Sequence, residues 1–271
     1  MSCPPLPHPM GRPSPGPEER RTAAQIATDL RELGVQGGDV LLVHSSLSSM
    51  GYVAGGPETV VRGLLDALGA SGTLLMPALS YEHVRSKQPI FDVRHTPSNV
   101  GAIPEHFRQR SGTRRSLHPT HSVCAVGART GELLDEHHKD RTPCGRYSPF
   151  HKLPQVGGKI LMLGCGLRPN TSFHAIEERV EPPYLFGPPL TYVLIDWDGE
   201  RHETTYTRHN FRGWAQRYDR IANLLKSPDL VSGRVLKAKA YLIDASALWD
   251  AALATLRRDP LYFVEREDAE P

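Results

Sequence analysis

The sequence predicts an α/β domain in which helices cover a largely buried sheet. Helical and strand-like segments alternate over the first eighty residues, and the strand-like runs are apolar at consecutive positions rather than at every second one. The 271 residues also contain no internal repeat and no interior linker. The chain is therefore predicted to form one domain.

The composition excludes several classes of protein. Hydrophobic residues make up 39% of the chain and charged residues 23%, which is typical of a globular protein and not of a collagen or a disordered chain. No run of about eighteen apolar residues occurs, so no membrane-spanning helix is expected. Lysine and arginine (32) nearly balance aspartate and glutamate (30), and this balance gives no argument for a nucleic-acid partner.

Cysteine usage and the amino-terminal segment bear on location. The four cysteines include no C-x-x-C pair, so a disulfide framework is not predicted and a reducing cytosol is expected. The amino-terminal segment lacks the basic stretch and the following apolar stretch that a secretory signal contains. Seven of the first seventeen residues are proline. We therefore predict a disordered tail over residues 1–21 and a folded domain over residues 22–265.

The elements of the first eighty residues follow in order. Periodic apolar residues predict a helix over 22–34, which Gly34 ends. The apolar run 40–44 predicts a buried strand. A polar, glycine-bearing loop separates it from a helix over 57–69 that begins with proline, and the run 73–79 predicts a second buried strand.

The rest of the chain is less regular. Residues 81–98 have no clear period and predict a long surface loop, a kind that is often functional. Asp198 and Gly199 form a strong turn pair between two alternating runs and predict a hairpin over 191–207. The other predicted elements are helices over 100–110, 171–180, 211–225 and 246–258, and strands over 121–127, 159–166 and 234–243.

The first candidate site is the loop HSSLSSMGYVAGG, residues 44–56. It follows a strand and precedes a helix, which is where α/β sheets usually bind ligands. Its four serines and its Gly-Gly pair offer hydroxyls and accessible backbone N–H groups, which suit phosphates or the amides of a pantetheine arm. The loop matches neither the P-loop nor the Rossmann fingerprint, and a serine-rich turn without a ligand is the alternative.

The second candidate site is RRSLHPTHS, residues 114–122, which precedes a predicted strand. Arginine favours phosphate because its planar guanidinium can donate two hydrogen bonds at once. His118 and His121 could instead be metal ligands, although neither an HExxH motif nor paired cysteines complete a set. A solvated basic turn is the alternative without a ligand.

The third candidate site is NTSFHAIEE, residues 170–178. His174 and Glu177 are three positions apart, so on a helix they share a face. A carboxylate that accepts a hydrogen bond from one imidazole nitrogen fixes the tautomer and leaves the other nitrogen free as a base. A His–Glu pair is also common on protein surfaces, so the spacing alone does not establish catalysis.

These segments, in this order, resemble the aminoglycoside 3-N-acetyltransferase family. The resemblance rests on VHSSLSSMGYVAGG, GTLLMPALSY, RSLHPTHSVCAVG, LGCGLRPNTSFHAIEE and RRDPLYF, which together span about 40–263. It implies a single-domain α/β/α layered fold with a central mixed sheet, distinct from the commoner acetyltransferase superfamily. Consistent with that distinction, the sequence lacks the Arg/Gln-x-x-Gly-x-Gly/Ala pyrophosphate loop.

The resemblance also implies an activity. It implies a cytoplasmic enzyme that transfers acetyl from acetyl-CoA to the 3-amine of 2-deoxystreptamine antibiotics and so confers resistance. The partners implied are acetyl-CoA and the antibiotic. The resemblance implies no metal, no nucleic acid and no membrane, and it is compatible with a homodimer. An ammonium cannot attack a thioester, so a base must first remove its proton, and an imidazole with a pKa of about 6.5 suits that role.

Site residues follow from the same resemblance. His174 would be the catalytic base and Glu177 its partner. The coenzyme would be held by residues of the first two segments: His44, Ser45, Ser46, Ser49, Gly51, Val53, Gly55, Gly56, Arg115, Ser116, His118, Thr120 and Ser122. Because the antibiotic is a polycation, its cleft should be acidic. The residues expected there are Tyr81, Glu178, Glu181 and Asp219.

Two other functions stay open at this point. One is a related acyltransferase that acts on a different amine, because a fold does not fix the acceptor. The other is a zinc-dependent hydrolase that uses His118, His121 and a carboxylate. Metal analysis of the purified protein separates the hydrolase from the two transferases, and acetyl-CoA turnover with a panel of amines separates the transferases from each other.

Overall fold

The computed structural model describes residues 16–267. Within that range none of the helices is both long and apolar enough to cross a membrane. The α-helices in this part of the chain are α1 (Pro17–Leu33), α2 (Pro57–Leu68), α3 (Ala102–Gln109), α4 (Thr130–Leu134), α5 (Pro149–Lys152), α6 (Ser172–Glu177) and α7 (Ala245–Arg258). Short 3-10 helices cover Leu47–Met50, His137–Lys139, Pro154–Val156 and Tyr218–Asn223.

The strands form one large sheet and two small ones. The large sheet contains β1 (Val40–Ser45), β2 (Thr73–Pro77), β4 (Arg114–Arg115), β5 (Val123–Gly127), β6 (Lys159–Leu163), β10 (Leu230–Val235) and β11 (Ala238–Asp244). The small sheets contain β3 (Ile90–Asp92), β7 (Phe186–Ile195) and β8 (Arg201–His209) in one, and β9 (Trp214–Gln216) and β12 (Val264–Arg266) in the other.

The large sheet is mixed, with the strand order β10-β11-β6-β1-β2-β5-β4. Strand β1 pairs in parallel with both β2 and β6. Strands β5 and β11 add to this trio in antiparallel orientation. The loops that follow β1, β2 and β6 therefore meet the segments that precede β5 and β11 at one edge of the sheet, where α/β proteins usually bind ligands.

Helices cover both faces of the large sheet, which explains the apolar runs in its strands. Successive residues of one strand pack into cores on opposite faces of the sheet. Val43 packs on the side of α1, α2 and α3, and Leu42 packs on the side of α4 to α7. Consecutive apolar residues are needed because neither face is left to water. The three layers and the mixed sheet confirm the predicted α/β/α class.

The small three-stranded sheet lies beside this framework. Strands β7 and β8 form the predicted hairpin, and Gly199 adopts a φ of 85° at the predicted turn. Strand β3 pairs in parallel with β7, so the predicted loop over 81–98 contains a strand. The local sequence has no clear period there because this three-residue strand depends on a partner about a hundred positions later.

Two other predictions need correction. No helix forms over 211–225; β9 and a 3-10 helix occupy that segment instead. Phe211 and Gly213 have φ values of 47° and 76°, which a right-handed helix cannot contain. The strand predicted over 234–243 is a tight hairpin of β10 and β11, with Leu236 at its turn at a φ of 51°.

The boundary of the predicted tail also moves. Helix α1 begins at Pro17, so residues 17–21 belong to a helix and not to the tail. Glu19 forms a capping interaction there, because its carboxylate accepts a hydrogen bond from the backbone N–H of Gly16 at 3.0 Å. Residues 1–15 of the predicted tail lie outside the described residues.

Candidate active site

A cavity of about 480 Å³ lies at the carboxyl edge of β1, β2 and β6. We refer to it as the central cavity. Its walls combine strand ends, the segment before β5, α6 and the segment between β8 and the 3-10 helix at Tyr218. The lining residues are Val43, His44, Ser45, Pro77, Leu79, Tyr81, Val100, Pro104, His121, Cys165, Pro169, Asn170, Thr171, His174, His209, Asn210, Phe211, Gln216 and Tyr218.

His174 lines this cavity from the short helix α6. The loop before α6 is fixed by Asn170, whose side-chain oxygen accepts a hydrogen bond from the backbone N–H of Ser172 at 3.1 Å. One turn into the helix, His174 Nδ1 lies 3.3 Å from Glu177 Oε2. The pairing predicted from the spacing is therefore present, and both side chains are buried or nearly so.

Two tyrosines from later in the chain complete the surroundings of Glu177. Tyr184 donates its hydroxyl to Glu177 Oε1 at 2.8 Å, and Tyr218 donates to Oε2 at 2.8 Å. The Tyr218 hydroxyl has a single proton, which it donates to the carboxylate of Glu177. In the 3.2 Å contact between the Tyr218 hydroxyl oxygen and His174 Nδ1, His174 is therefore the donor. These contacts specify the tautomer of His174 that carries its proton on Nδ1.

The second nitrogen of His174 is therefore the reactive one. Among residues 16–267, the hydrogen bonds of the His174 side chain all involve Nδ1. Its ring also contacts Phe211, with 5.0 Å between the ring centroids. With Nδ1 as donor and Nε2 free to accept, the side chain is arranged to remove a proton from a group in the central cavity.

Further histidines surround this group and stay uncharged. His121 and His209 lie with ring centroids 5.6 Å and 5.1 Å from that of His174. Burial, followed by the charges of neighbouring histidines, holds the pKa of each well below its usual range. Burial and then His174 lower the pKa of His44 to about 3. These three histidines are therefore neutral near pH 7.

Glu178 does not line the central cavity, contrary to the prediction. Its carboxylate accepts hydrogen bonds from Thr142 Oγ1 at 2.6 Å, the backbone N–H of Cys144 at 2.7 Å and His209 Nε2 at 2.8 Å. Burial raises its pKa to about 7. Glu178 therefore lies behind the cavity wall, where it bonds the wall residue His209.

The other residues predicted to contact the acceptor have mixed positions. Tyr81 lines the cavity and is 48% exposed. Glu181 is exposed and is not part of the wall. Asp219 is also outside the wall, and Arg217 holds its carboxylate through two contacts of 3.2 Å. Among residues 16–267 the wall contains no aspartate or glutamate, and the acidic cleft stays a prediction.

A second depression lies on the outer side of the 44–56 loop. This loop groove has a volume of about 550 Å³ and shares Ser45 with the central cavity. Its lining residues are Ser45, Ser46, Leu47, Ser48, Gly51, Tyr52, Val53, Gly56, Gly101 and Ala102. The structure thus gathers five predicted coenzyme-binding positions, namely Ser45, Ser46, Gly51, Val53 and Gly56.

Three predicted members of this loop lie elsewhere. His44 lines the central cavity rather than the groove. Ser49 donates to the backbone oxygen of Gly164 at 2.7 Å and so holds the loop to the end of β6. A Cβ on Gly164 would approach Ser49 Cβ to 2.7 Å, so this position requires glycine. Gly55 packs against Thr59 and Glu19.

Most side chains of the 114–122 segment are buried, although His121 lines the central cavity. Arg115 is buried, with Nε bonded to Ser122 Oγ at 2.8 Å and Nη2 to the backbone oxygen of Ala78 at 2.8 Å. Nη1 bonds the backbone oxygen of Thr96 at 2.5 Å. The guanidinium is thus committed to protein oxygens, and this position does not favour the predicted contact of Arg115 with the coenzyme.

The neighbours of Arg115 have similar structural roles. Ser116 bonds His137 Nδ1 at 2.9 Å, and both side chains are buried. His118 is fully buried, and its Nδ1 accepts hydrogen bonds from the backbone N–H groups of Thr120 and His121. Ser116, His118, Thr120 and Ser122 do not line the loop groove, and their contact with the coenzyme stays a prediction.

Several residues of the site were not predicted. Tyr184 and Tyr218 bond Glu177, His209 lies beside His174, and no local pattern marks any of the three. Tyr52 lies in a predicted segment and is 83% exposed on the rim of the groove. Lys237 lies in the turn between β10 and β11, and its side-chain stem packs beside Gly51. In the described part of the chain, no three His, Cys, Asp or Glu side chains are grouped to hold a metal ion.

Comparison with known proteins identifies the family. The family model for aminoglycoside 3-N-acetyltransferases matches residues 42–257. The chain belongs to this family. Family membership confirms the resemblance seen in the five motifs, and it places the chain among acetyltransferases associated with aminoglycoside resistance.

Two curated relatives illustrate the similarity. Aminoglycoside N(3)-acetyltransferase IX of Micromonospora chalcea is 31% identical over 261 residues, which cover 86% of this chain and 92% of the relative. Aminoglycoside N(3)-acetyltransferase VIII of Streptomyces fradiae is 36% identical over 179 residues, or 60% of this chain. This second match spans 62% of that relative's length.

Solved structures share the fold. AAC-IIIb in a binary complex with CoASH superimposes with a TM-score of 0.76 at 27% identity, covering 92% of this chain and 98% of that one. AAC-VIa bound to sisomicin gives a TM-score of 0.76 at 28% identity, covering 87% and 97%. The mixed sheet and its helical layers are therefore a family architecture.

Proposed function

We propose that the chain transfers the acetyl group of acetyl-CoA to a primary amine, with His174 as the general base. The observation that carries the proposal is the buried His174–Glu177 pair in a cavity that meets the loop groove at Ser45. An amine in the central cavity and a thioester at the end of the groove would meet beside His174.

The chemistry of the proton transfer follows from the hydrogen bonds. Glu177 accepts from Tyr184, Tyr218 and His174, so its negative charge faces three donors and stabilises the imidazolium that forms when His174 takes a proton. When His174 Nε2 takes this proton from the ammonium group of the acceptor, the amine nitrogen is left with a free lone pair. Acetyl-CoA supplies the thioester carbonyl: the C–N bond forms, the C–S bond breaks, and the nitrogen's second proton passes to the sulfur, so that CoASH leaves.

The loop groove fits the coenzyme better than any other described depression. The start of α3, an eight-residue helix, opens into it at Gly101 and Ala102, where free backbone N–H groups can receive a phosphate. Tyr52 offers an exposed ring. None of the described acidic side chains pairs with the ammonium of Lys237 beside Gly51, so that charge is available to a phosphate.

Aminoglycosides are the acceptors that family membership supports, and a solved relative binds sisomicin. We propose the 3-amine of the 2-deoxystreptamine ring as the group acetylated, with antibiotic resistance as the outcome. A different amine is the second candidate. It is favoured by one observation, which is that the described walls of the central cavity contain no carboxylate.

The replacement His174→Ala tests the proposal. Loss of a positioned general base should reduce kcat by about 10²–10⁴-fold, measured as CoASH release from acetyl-CoA in the presence of an amine acceptor. The binding of CoASH should persist because His174 does not line the loop groove. The melting temperature should stay within a few degrees of the unmodified protein's.

The matched control is His95→Ala, because the His95 side chain is 80% exposed and pairs only with Asp92. Its kcat should equal that of the unmodified protein. A near-normal kcat in His174→Ala would remove His174 from the mechanism and make His121 or His209 the next residue to replace. Absence of CoASH release from the unmodified protein with every amine tried would contradict the proposed reaction itself.

A further inference from the structure

Glu178 is a buried carboxylate that the proposed proton transfer does not use. Its side chain is 6% exposed and accepts hydrogen bonds from Thr142 Oγ1, the backbone N–H of Cys144 and His209 Nε2. All three donors are uncharged, because burial holds the pKa of His209 well below its usual range. They fix the position of the carboxylate without cancelling its negative charge.

The described residues offer no cation to balance this charge. Among residues 16–267, His209 is the only basic side chain bonded to Glu178, and it is neutral. A buried carboxylate without a cationic partner is unfavourable, and burial accordingly raises the pKa of Glu178 to about 7. Buried groups with displaced pKa values are concentrated at functional sites, so this carboxylate points to a role toward a ligand.

His209 lies between Glu178 and the central cavity. Its side chain is 5% exposed and lines the cavity, with its ring centroid 5.1 Å from that of His174. Because Nε2 donates to Glu178, Nδ1 carries the lone pair, and the negative end of the imidazole dipole points away from Glu178. Nδ1 is buried and bonds none of the residues that the structure describes. Beyond His209, the dipole therefore adds to the negative field of the carboxylate.

Glu177 balances only one charge of a polycationic acceptor. When His174 takes a proton, its imidazolium forms an ion pair with Glu177, in which Nδ1 and Oε2 lie 3.3 Å apart. The other ammonium groups of the acceptor keep their protons and still need a negative charge nearby. Glu178, at the next position of the chain, can supply it, since attraction between charges extends over several ångströms inside a protein.

We infer that Glu178, acting through His209, supplies the negative potential that holds a cationic acceptor in the central cavity. The inference rests on the acetyl transfer proposed above and concerns how the amine substrate is held. Glu178 is a positioning residue, because it lies behind the wall and does not touch the acceptor. In this arrangement, the acidic character predicted for the cleft comes from behind its wall.

The effect should appear in the KM for the acceptor and not in kcat. The cavity keeps the same net charge as a proton moves from the ammonium group to His174. The charge of Glu178 therefore stabilises the bound acceptor and the transition state alike, and its removal should raise KM while kcat changes by less than about threefold. A purely structural role of Glu178 would instead disturb His174 and lower kcat.

Glu178→Gln is the first test. The amide oxygen can accept from Cys144 and His209, and the amide NH2 group can donate to the hydroxyl of Thr142. With sisomicin as the acceptor, CoASH release is measured at pH 8, where the Glu178 carboxyl is mostly ionised. We expect the KM for sisomicin to rise about tenfold and the KM for acetyl-CoA to stay the same. The matched control is Glu181→Gln, which removes an exposed carboxylate outside the cavity wall and should change KM by less than about twofold.

Thr142→Lys cancels the same charge without replacing Glu178. Thr142 is half-buried and lies outside the cavity wall, and the flexible stem of a lysine lets its ammonium group reach the carboxylate. The KM for sisomicin should again rise about tenfold. Thr142→Gln is the control, because glutamine is of similar length and carries no charge; its KM should stay within about twofold of the unmodified protein's.

The outcomes distinguish this inference from the function on which it rests. Thermal unfolding identifies the folded variants, and if one variant does not fold, the other decides. An unchanged KM for sisomicin would overturn the inference, and so would a loss of kcat at constant KM; both results leave the acetyl transfer intact. Absence of CoASH release from the unmodified protein, with sisomicin and with every other amine tried, would instead contradict the acetyl transfer.

Discussion

Two polar segments of this chain, residues 44–56 and 114–122, look alike in sequence and lie in opposite environments. The first leaves β1 toward α2 and lines the loop groove. The second lies between β4 and β5, where the hairpin of β7 and β8 covers it: Trp197 donates its indole N–H to the backbone oxygen of Arg115 at 3.2 Å. Hydroxyls thus line an open groove in one segment, whereas hydroxyls and a guanidinium group bond buried protein groups in the other.

The largest expected difference between the segments is in stability. Arg115→Ala should reduce the free energy of unfolding by about 3 kcal/mol or more, because the buried guanidinium loses its hydrogen bonds to Ser122, Thr96 and Ala78, each worth roughly 1.5–3 kcal/mol. Urea denaturation measures this loss. The adjacent Arg114→Ala is the control, since its side chain is 52% exposed and pairs with exposed Asp135, an interaction worth less than about 1 kcal/mol.

The acetyl-CoA KM of Arg115→Ala shows whether Arg115 contacts the coenzyme or only the protein. The folded fraction of Arg115→Ala should keep the KM of the unmodified protein. A stable Arg115→Ala protein with a raised KM would restore Arg115 to the coenzyme site and remove the contrast between the segments.

A smaller difference should appear on acidification. Burial holds the pKa of His118 and of His121 well below the usual range, so in the folded state each stays neutral while its unfolded counterpart binds a proton below about pH 6.5. Stability is therefore complete above pH 6.5 and is lost as the pH falls, by about 2 kcal/mol for each such histidine at pH 5. Glu178, with a pKa of about 7, has the opposite sign and offsets part of the loss.

The variant His118→Asn isolates this effect. Its amide oxygen can replace Nδ1 as an acceptor for the backbone, but it does not titrate. The free energy of unfolding of this variant should fall less between pH 7 and pH 5 than that of the unmodified protein, as measured by urea denaturation at each pH. The exposed replacement His95→Asn serves as the control; equal pH dependence in all three proteins would contradict neutral burial of His118.

The smallest expected effect on stability belongs to the loop groove. Ala102→Trp places a large ring at an exposed position of the groove and should change the free energy of unfolding by less than about 0.5 kcal/mol. Its acetyl-CoA KM should nevertheless rise by about tenfold, because the ring occupies the volume proposed for the coenzyme. Gln109→Trp, near the other end of α3, is the control. An unchanged KM in Ala102→Trp would place the coenzyme elsewhere.

The contrast between the segments also marks the limit of sequence reasoning. The apolar runs predicted β1, β2 and β6 because both faces of these strands are buried. The three-residue spacing predicted the contact of His174 with Glu177 because it depends on one helical turn. Information of this kind is local, and the structure agrees with it.

Features set by distant parts of the chain could not be predicted. Nothing in residues 114–122 indicates that Trp197 covers them. Tyr184 and Tyr218 reach Glu177 from separate segments, and the helix predicted over 211–225 fails because Phe211 and Gly213 reverse the chain toward His174. Whether a polar residue binds a ligand or the backbone depends on which element packs over it, and that is a property of the tertiary fold.

Ser45 borders both the central cavity and the loop groove, and this shared boundary has a kinetic consequence. For the proposed reaction, donor and acceptor can occupy the protein together as a ternary complex. The thiol beside that boundary, Cys165, has its pKa raised to about 11 by burial and stays protonated, so it is a poor relay for the acetyl group. Direct passage within a ternary complex corresponds to a sequential mechanism, not to double displacement through an acetylated enzyme.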